Sequence, residues 1–309
     1  MKSFNYDKIT STILMVLLLS FPTFAWNHGG HMATGAAAYK YLKQNSPSTI
    51  PKIIAILKKH PEFNRWTPQY QSVPAADQDL FLFMMAARWP DDARKTSYDH
   101  PEWHFCDHPV TFDSSPTQQP KPDNSVSEIE KNLAIVTDAS ADAGDRAVAM
   151  CWVFHLMGDL HQPLHNVTLF SSVFPDGDRG GNSFLIKDPS KELHGYWDGA
   201  FLSDRDVNYN QADWFANVNT AADAAIKKNP SVAFDKNITI DVSAISDEGV
   251  TIAQASVYKS KGTLLTPGVK GGAAGKKLPS TYGKDAKKIC SKQVTLAGMR
   301  LAVSLSQKL

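Results

Sequence analysis

The sequence predicts a mainly α protein, a single multi-helix domain with one helix buried at its centre and little β structure. Three observations lead there. Apolar and Ala-rich residues recur at helical spacing along most of the chain. The stretch from Ala147 to Leu160 is apolar on nearly every face, which in a soluble protein marks a helix enclosed by others. Strand signal is thin, with Ser183 to Ile186, after Gly180-Gly181-Asn182, the one short run that reads as extended. No internal repeat or linker divides the chain, so one domain over residues 26–309 is expected.

From the N-terminus, Lys2 and Lys8 flank a short polar start, Ile13 to Leu19 is an uninterrupted apolar run, and Thr23-Phe24-Ala25 presents a cleavage site before Trp26. A bilayer-spanning helix needs about 20 apolar residues, and Ser20 and Pro22 break this run. Residues 1–25 therefore read as a signal peptide and the product as secreted or periplasmic, with no stable membrane span. Helical patterns follow at His31 to Leu42, at Ile50 to Leu57 behind a Ser48 cap with Pro51 in the first turn, and at Asp77 to Ala87. Ser127 with Glu130 three residues on suggests a capping box opening Ile129 to Val136. Beyond the central helix, patterns cover Leu193 to Phe201, Ala212 to Lys227, Val242 to Tyr258 and Ala286 to Ser304, while the Gly- and Lys-rich stretch from Gly262 to Lys277 reads as an exposed loop.

Composition limits the function. The 32 basic and 31 acidic residues nearly cancel, so the chain lacks the basic excess with which proteins usually grip duplex phosphates. A hydrophobic share of 42% excludes a solvated, disordered chain. Three Cys cannot staple a protein this long, and an odd number leaves at least one thiol free unless chains pair; Cys151, inside the apolar run, is expected to be buried and inert.

Histidine and aspartate recur at metal-ligand spacing. His155 and Asp159 lie four residues apart, one turn along one helical face, and the spacing returns at His194 and Asp198. An unpaired Asp159 in an apolar helix would cost several kcal/mol, which a cation removes. His165 follows Pro163, which should end the central helix and turn that imidazole toward the site. Upstream, Trp89-Pro90-Asp91-Asp92-Ala93-Arg94 ends a helix with acids and a guanidinium, and Trp103-His104-Phe105 follows in a short loop. After cleavage Trp26 would carry a free α-amino group, able to chelate a metal together with its own carbonyl.

In order along the chain, Trp26 with His31, the Trp89 to Arg94 motif, Trp103-His104-Phe105, the run from His155 to His165, Gly180-Gly181-Asn182 and His194 to Asp198 resemble the trinuclear-zinc nucleases, the family of nuclease S-one and nuclease P-one. That family is distantly related to bacterial zinc-dependent phospholipase C. Gln293 to Val303 resembles its C-terminal helix. The resemblance implies the phospholipase C/nuclease P-one-like fold and three Zn²⁺. One would be held by Asp91, His104, His155 and Asp159; a second, sharing Asp159, by the amine and carbonyl of Trp26 with His31; the third by His165, His194 and Asp198. It further implies that Arg94 braces charge on the phosphoryl oxygens, that Phe105 stacks a base, and that Asp107 and Asn182 bond its edge. The activity to match is hydrolysis of single-stranded DNA and RNA to 5′-phosphate products, with 3′-nucleotidase activity, by attack of a zinc-bridging hydroxide, from a monomer.

Alternatives stay open at this point. Arg94 could simply pair with Asp91 or Asp92, and Phe105 could fill core. A phospholipase C would typically carry Glu where this chain has Asp198, and a zinc-binding protein without turnover is a reading of another class. His161 is expected to support or pack, His60 to sit at a helix C-terminus, and His28, His100 and His108 to lie at the surface or around the mouth of the site. Met84, Met85 and Met150 read as core. Asn27 replaces a Gly common in the family, and the stretch Asn166 to Arg179 is long, with Leu169, Phe170 and Phe174 expected beside the metals. Asn166 and Asn237 head glycosylation sequons that matter only in a eukaryotic source.

Overall fold

The structure, a computed structural model, describes residues 26–187, 189–203, 207, 213–233 and 238–309. The expected signal peptide and Asn237 lie outside the described residues. Helices α1 (His28–Asn45), α2 (Thr49–Leu57), α3 (Phe63–Ser72) and α4 (Gln78–Asp92) come first, followed by strand β1 (His108–Thr111), α5 (Ser125–Thr137) and α6 (Ala143–Asp159). Then come β2 (Val167–Phe170), β3 (Ile186–Lys187), α7 (Leu193–Asp198), α8 (Trp214–Lys228), α9 (Pro230–Ala233) and α10 (Val242–Ile252). The short strands β4 (Lys259–Ser260), β5 (Thr263–Leu264) and β6 (Lys276–Lys277) precede the long closing helix α11 (Tyr282–Lys308). The architecture is the mainly α one expected, with strands only as short pairs.

α6 is the enclosed helix. From Ala149 to Asp159 every residue is buried, and α1, α2, α4, α5 and α11 all pack on it. Asp142 caps its N-terminus by accepting from Gly144 and Asp145 N–H. Phe83 of α4 meets Phe154 edge-on at 5.3 Å, and burial of such a side chain contributes roughly 1.5–3 kcal/mol. α1 is pressed between α4 and α11 at backbone distance: a Cβ on Gly35 would lie 2.3 Å from the Phe83 carbonyl oxygen, and one on Gly298 would lie 2.4 Å from Ala37 Cβ. Those glycines hold His31 of α1 over α6. Met84, Met85 and Met150 are core, and Cys106, Cys151 and Cys290 are buried free thiols.

Several local expectations need correction. α3 was not legible in the sequence; it carries Pro68 internally and buries only Trp66. The capping box of α5 is Asn124 with Ser127, not Ser127 with Glu130, so the helix starts earlier. α7 stops at Asp198 with Gly199 as its C-cap rather than running to Phe201. Only Ile186 of the Ser183 to Ile186 stretch is in a strand, pairing in parallel with Lys276. The parallel pair β1 and β2, His108↔Val167 to Thr111↔Phe170, was not anticipated. α10 ends in a π-helical turn, Ala253–Val257, and the Gly262 to Lys277 stretch is exposed but pinned by β5, β6 and the Leu185↔Gly268 bridge. Asn166 is fully buried and bonds Leu160 and Gln162 carbonyls, so its sequon is inaccessible.

His60 does follow a helix end, but it is buried: it stacks on Trp66 at 4.9 Å and meets Trp89 edge-on at 4.4 Å. Desolvation lowers its pKa to about 4. The unfolded chain, with an ordinary value of 6.5, therefore binds this proton more readily than the folded one, so stability falls as pH drops from 6.5 toward 4. His60→Phe keeps the ring packing and removes the titration. We expect urea melts of the wild type to lose roughly 3 kcal/mol more across that window than those of the variant; equal losses would refute the assignment.

Candidate metal centre

The centre forms where α1, α4, α6 and the turns after α4 and α6 converge. His31 projects from α1, Asp91 from the last turn of α4, and His155 and Asp159 from one face of α6. His104 closes a short 3₁₀ turn, Pro101–His104, and His165 closes another, Pro163–His165, which Pro163 opens after the central helix has already ended at Asp159. Asp159 is fully buried. Its Oδ2 lies 3.0 Å from His104 Nδ1 and 3.3 Å from His155 Nε2, and its Oδ1 lies 3.4 Å from His31 Nε2 and 3.5 Å from His165 Nδ1. His31 stacks on His155 with centroids 3.8 Å apart.

Three groups of side chains present donor atoms within 4.8 Å of one another: His31 with His155 and Asp159; Asp91 with His104 and His155; and His165 with His194 and Asp198. Trp26 joins through its indole N–H, which donates to the Gly158 carbonyl at 2.8 Å, while Asn27 N–H donates to the Asp198 carbonyl at 3.4 Å. The departure at Asn27 has a clear role: its side chain caps α1 by accepting from Gly30 N–H.

Backbone carbonyls orient the rings. A carbonyl only accepts, so Nδ1 of His155 must donate to Ala87, that of His165 to His104 and that of His194 to Gly180, leaving each Nε2 as a lone-pair donor. Gln162 Nε2 donates to Asp198 Oδ1 at 2.7 Å. Sequence reasoning missed Gln162, although it sits inside the His155 to His165 run and its amide is the natural partner for a buried carboxylate.

Burial keeps the imidazoles unprotonated, the form in which a ring nitrogen can bind a cation. Burial lowers His155 to about 3 and holds His31, His104 and His165 well below the usual imidazole range. Burial, then repulsion from Asp91, drives the Asp159 carboxyl well above its usual range. Both nitrogens of His31, Asp91 Oδ2, His104 Nε2, Asp159 Oδ1 and His165 Nε2 are buried without a hydrogen-bond partner. Each such atom costs about 1–3 kcal/mol, and divalent cations would satisfy them together. Nitrogen and oxygen donors without thiolate fit open catalytic zinc rather than a closed structural site.

Arg94 Nη2 lies 3.0 Å from Asp91 Oδ1, so the ion pair weighed from sequence does form; Asp92 is taken by Arg88. Arg94 also borders a cleft of about 560 Å³ that Phe105, Asp107, Phe170 and Asn182 line. The Phe105 ring is half-buried, 4.9 Å from that of His165. Asp107 accepts from Thr168 Oγ1 at 2.6 Å, and Asn182 Nδ2 donates to the Arg179 carbonyl at 2.8 Å, so both side chains are partly committed within the fold. Leu169 and Phe174 are core, with Phe174 against Phe184 at 6.0 Å, and only Phe170 of that trio borders the cleft. His161 is buried, its Nδ1 on the Met157 carbonyl and its Nε2 on Arg300. His28 is half-buried beside Asp91 rather than free at the surface, and desolvation lowers it to about 4.

A cluster of imidazoles and carboxylates, sealed among helices and bordered by one aromatic cleft, defines an α-helical protein built around sites of metal-ligand type. Residues 26–309 match the family model described as S1/P1 Nuclease, and the chain belongs to that family. It is similar to Endonuclease 3 of Arabidopsis thaliana, with 24% identity over 230 residues, which cover 65% of this chain and 63% of the plant protein. The chain thus spans less than two thirds of that relative's length.

Metal addition should raise the unfolding midpoint of chelator-stripped protein, because an ion that binds only the folded state stabilises it. Asp159→Ala should cut both this rise and the number of ions bound in a zinc titration by calorimetry. An unchanged stoichiometry would mean that Asp159 is not shared between sites.

Proposed function

We propose that the protein is an exported zinc-dependent nuclease, cleaving single-stranded DNA and RNA to 5′-phosphate products, with 3′-nucleotidase activity. What supports this most is a shared buried carboxylate, Asp159, among unsatisfied imidazole nitrogens next to an aromatic cleft. Asp91, His104, His155 and Asp159 would hold one Zn²⁺, Asp159 with His31 and the Trp26 amine and carbonyl a second, and His165, His194 and Asp198 a third. Bound zinc supplies Lewis acidity toward phosphoryl oxygens and water activated at neutral pH.

The chain's own residues do the rest. Asp159 fixes the spacing of the donors around it, and Gln162 keeps Asp198 turned toward His194. Arg94, held by Asp91 at the cleft, supplies fixed positive charge where the phosphoryl group gains negative charge. Phe105 offers a face to one base, which must be unstacked to use it, hence a single-stranded substrate.

The decisive test incubates mature protein with single-stranded DNA, RNA, 3′-AMP and phosphatidylcholine, with and without a chelator. We expect chelator-sensitive cleavage of the nucleic acids and release of phosphate from 3′-AMP. Release from phosphatidylcholine alone would make it a phospholipase C, and no turnover at all would leave a zinc-binding protein. His155→Ala should lose at least a hundredfold in kcat/KM, in line with removal of a metal-site partner; full turnover would refute the ligand set. A variant keeping one residue before Trp26 converts its amine to an amide and should bind one ion fewer, as metal analysis would reveal.

A further inference from the structure

Among the described residues five non-glycine positions adopt the left-handed backbone region, and three of them, Lys95 (φ 65°), Asp107 (φ 54°) and Arg179 (φ 57°), border the cleft beside the metal centre. Side chains other than glycine avoid this region, and where the fold enforces it, function is the usual reason. The enforcement is visible at Arg179. Its predecessor, Asp178, is fully buried and accepts from Leu169 N–H at 2.9 Å and from the Tyr258 hydroxyl at 2.9 Å. Its successors Gly180 and Gly181 continue at φ 59° and 83°, and Asn182 donates to the Arg179 carbonyl through both its backbone and its amide. A rigid turn thus projects an exposed arginine at the cleft.

Two cations there are in no close ion pair. Of the carboxylates on the cleft, Glu102 pairs with Lys121, Asp123 with Lys131, Asp99 takes the Lys95 N–H and Asp107 takes Thr168. Arg94 is held by Asp91. That leaves the Arg179 guanidinium and the Lys95 ammonium, neither with a hydrogen bond or ion pair among the described residues, as cleft cations that no carboxylate holds in a close pair, with Asp99, Asp107 and Asp176 the cleft acids that no cation holds.

Building on the nuclease reading, we propose that Arg179 and Lys95 hold the phosphates that flank the cleaved one, so that the cleft takes a phosphodiester-linked strand in preference to a lone nucleotide. A mononucleotide satisfies the metal centre and the Phe105 face but has no second phosphate for these cations. A longer strand has one on each side.

The test compares zinc-replete wild type with Arg179→Ala, Arg179→Gly and Lys95→Ala. Substrates are a single-stranded DNA decamer and 3′-AMP, and a fluorescein-labelled phosphorothioate decamer reports binding by anisotropy. Loss of one charge-assisted contact should raise the decamer KM and Kd about tenfold and shallow the salt dependence of log Kd by about 0.7 per cation removed, while KM for 3′-AMP changes far less. Arg179→Gly relaxes the left-handed backbone, so its unfolding midpoint should not fall although its decamer binding does. Wild-type decamer affinity and salt slope in all three variants would overturn the inference and leave the nuclease reading intact, as would an equal rise in KM for 3′-AMP. A wild type that neither binds nor cleaves any nucleic acid would overturn both.

Discussion

Everything in this molecule is arranged around one carboxylate that has no business in an apolar interior unless positive charge joins it. Asp159 ends the helix that the others enclose, within 3.5 Å of four imidazoles, none of which is protonated readily in so dry a place. Hydrophobic burial assembles the helices, yet it also strips water from these donors, and a buried charge without a partner costs more than one side chain's burial returns. The fold resolves this by concentrating the polar cost at a single locus. The glycines that press α1 onto α4 and α11 belong to the same solution, since they set His31 over α6.

Outward from Asp159 the chain uses backbone rather than side chains to aim its ligands. The carbonyls of Ala87, His104 and Gly180 each take an imidazole N–H. Each carbonyl comes from a different segment, so ring orientation depends on tertiary packing and not on any local motif. One of the three belongs to the Gly180 turn that also carries Arg179, so a cleft-lining residue and the orientation of His194 rest on the same turn.

The sequence made some of this plain and hid the rest for identifiable reasons. α6 was legible because the run from Ala147 to Leu160 is apolar on nearly every face, and the carboxylate within that run, Asp159, four residues after His155, is conspicuous. The class of fold and the pairs His155 with Asp159 and His194 with Asp198 followed from spacing within helices, while the grouping with Asp91, His104, His31 and His165 came only through the family resemblance. α3 was hidden because Pro68 and polar neighbours oppose helix propensity, which packing of Trp66 overrides. β1 and β2 were hidden because each is four residues long and finds its partner across the whole of α5 and α6. The commitment of Asp107 depends on Thr168 at a separation of 61 residues, and the left-handed Arg179 follows Asp178, which meets Tyr258 at a separation of 80 residues; no window of sequence contains either contact.

The burial that keeps the imidazoles neutral has a consequence for proton stoichiometry. A metal site built of exposed histidines gives up imidazolium protons when it fills, and its affinity climbs steeply from pH 5 to 7. Here those nitrogens are already bare across that range, with His155 lowered to about 3. The group pushed the other way is the Asp159 carboxyl, which burial and the neighbouring Asp91 raise well above its usual range. A cation entering this centre would therefore displace few imidazolium protons, and the pH dependence of its uptake would come from the buried carboxyls rather than from the histidines.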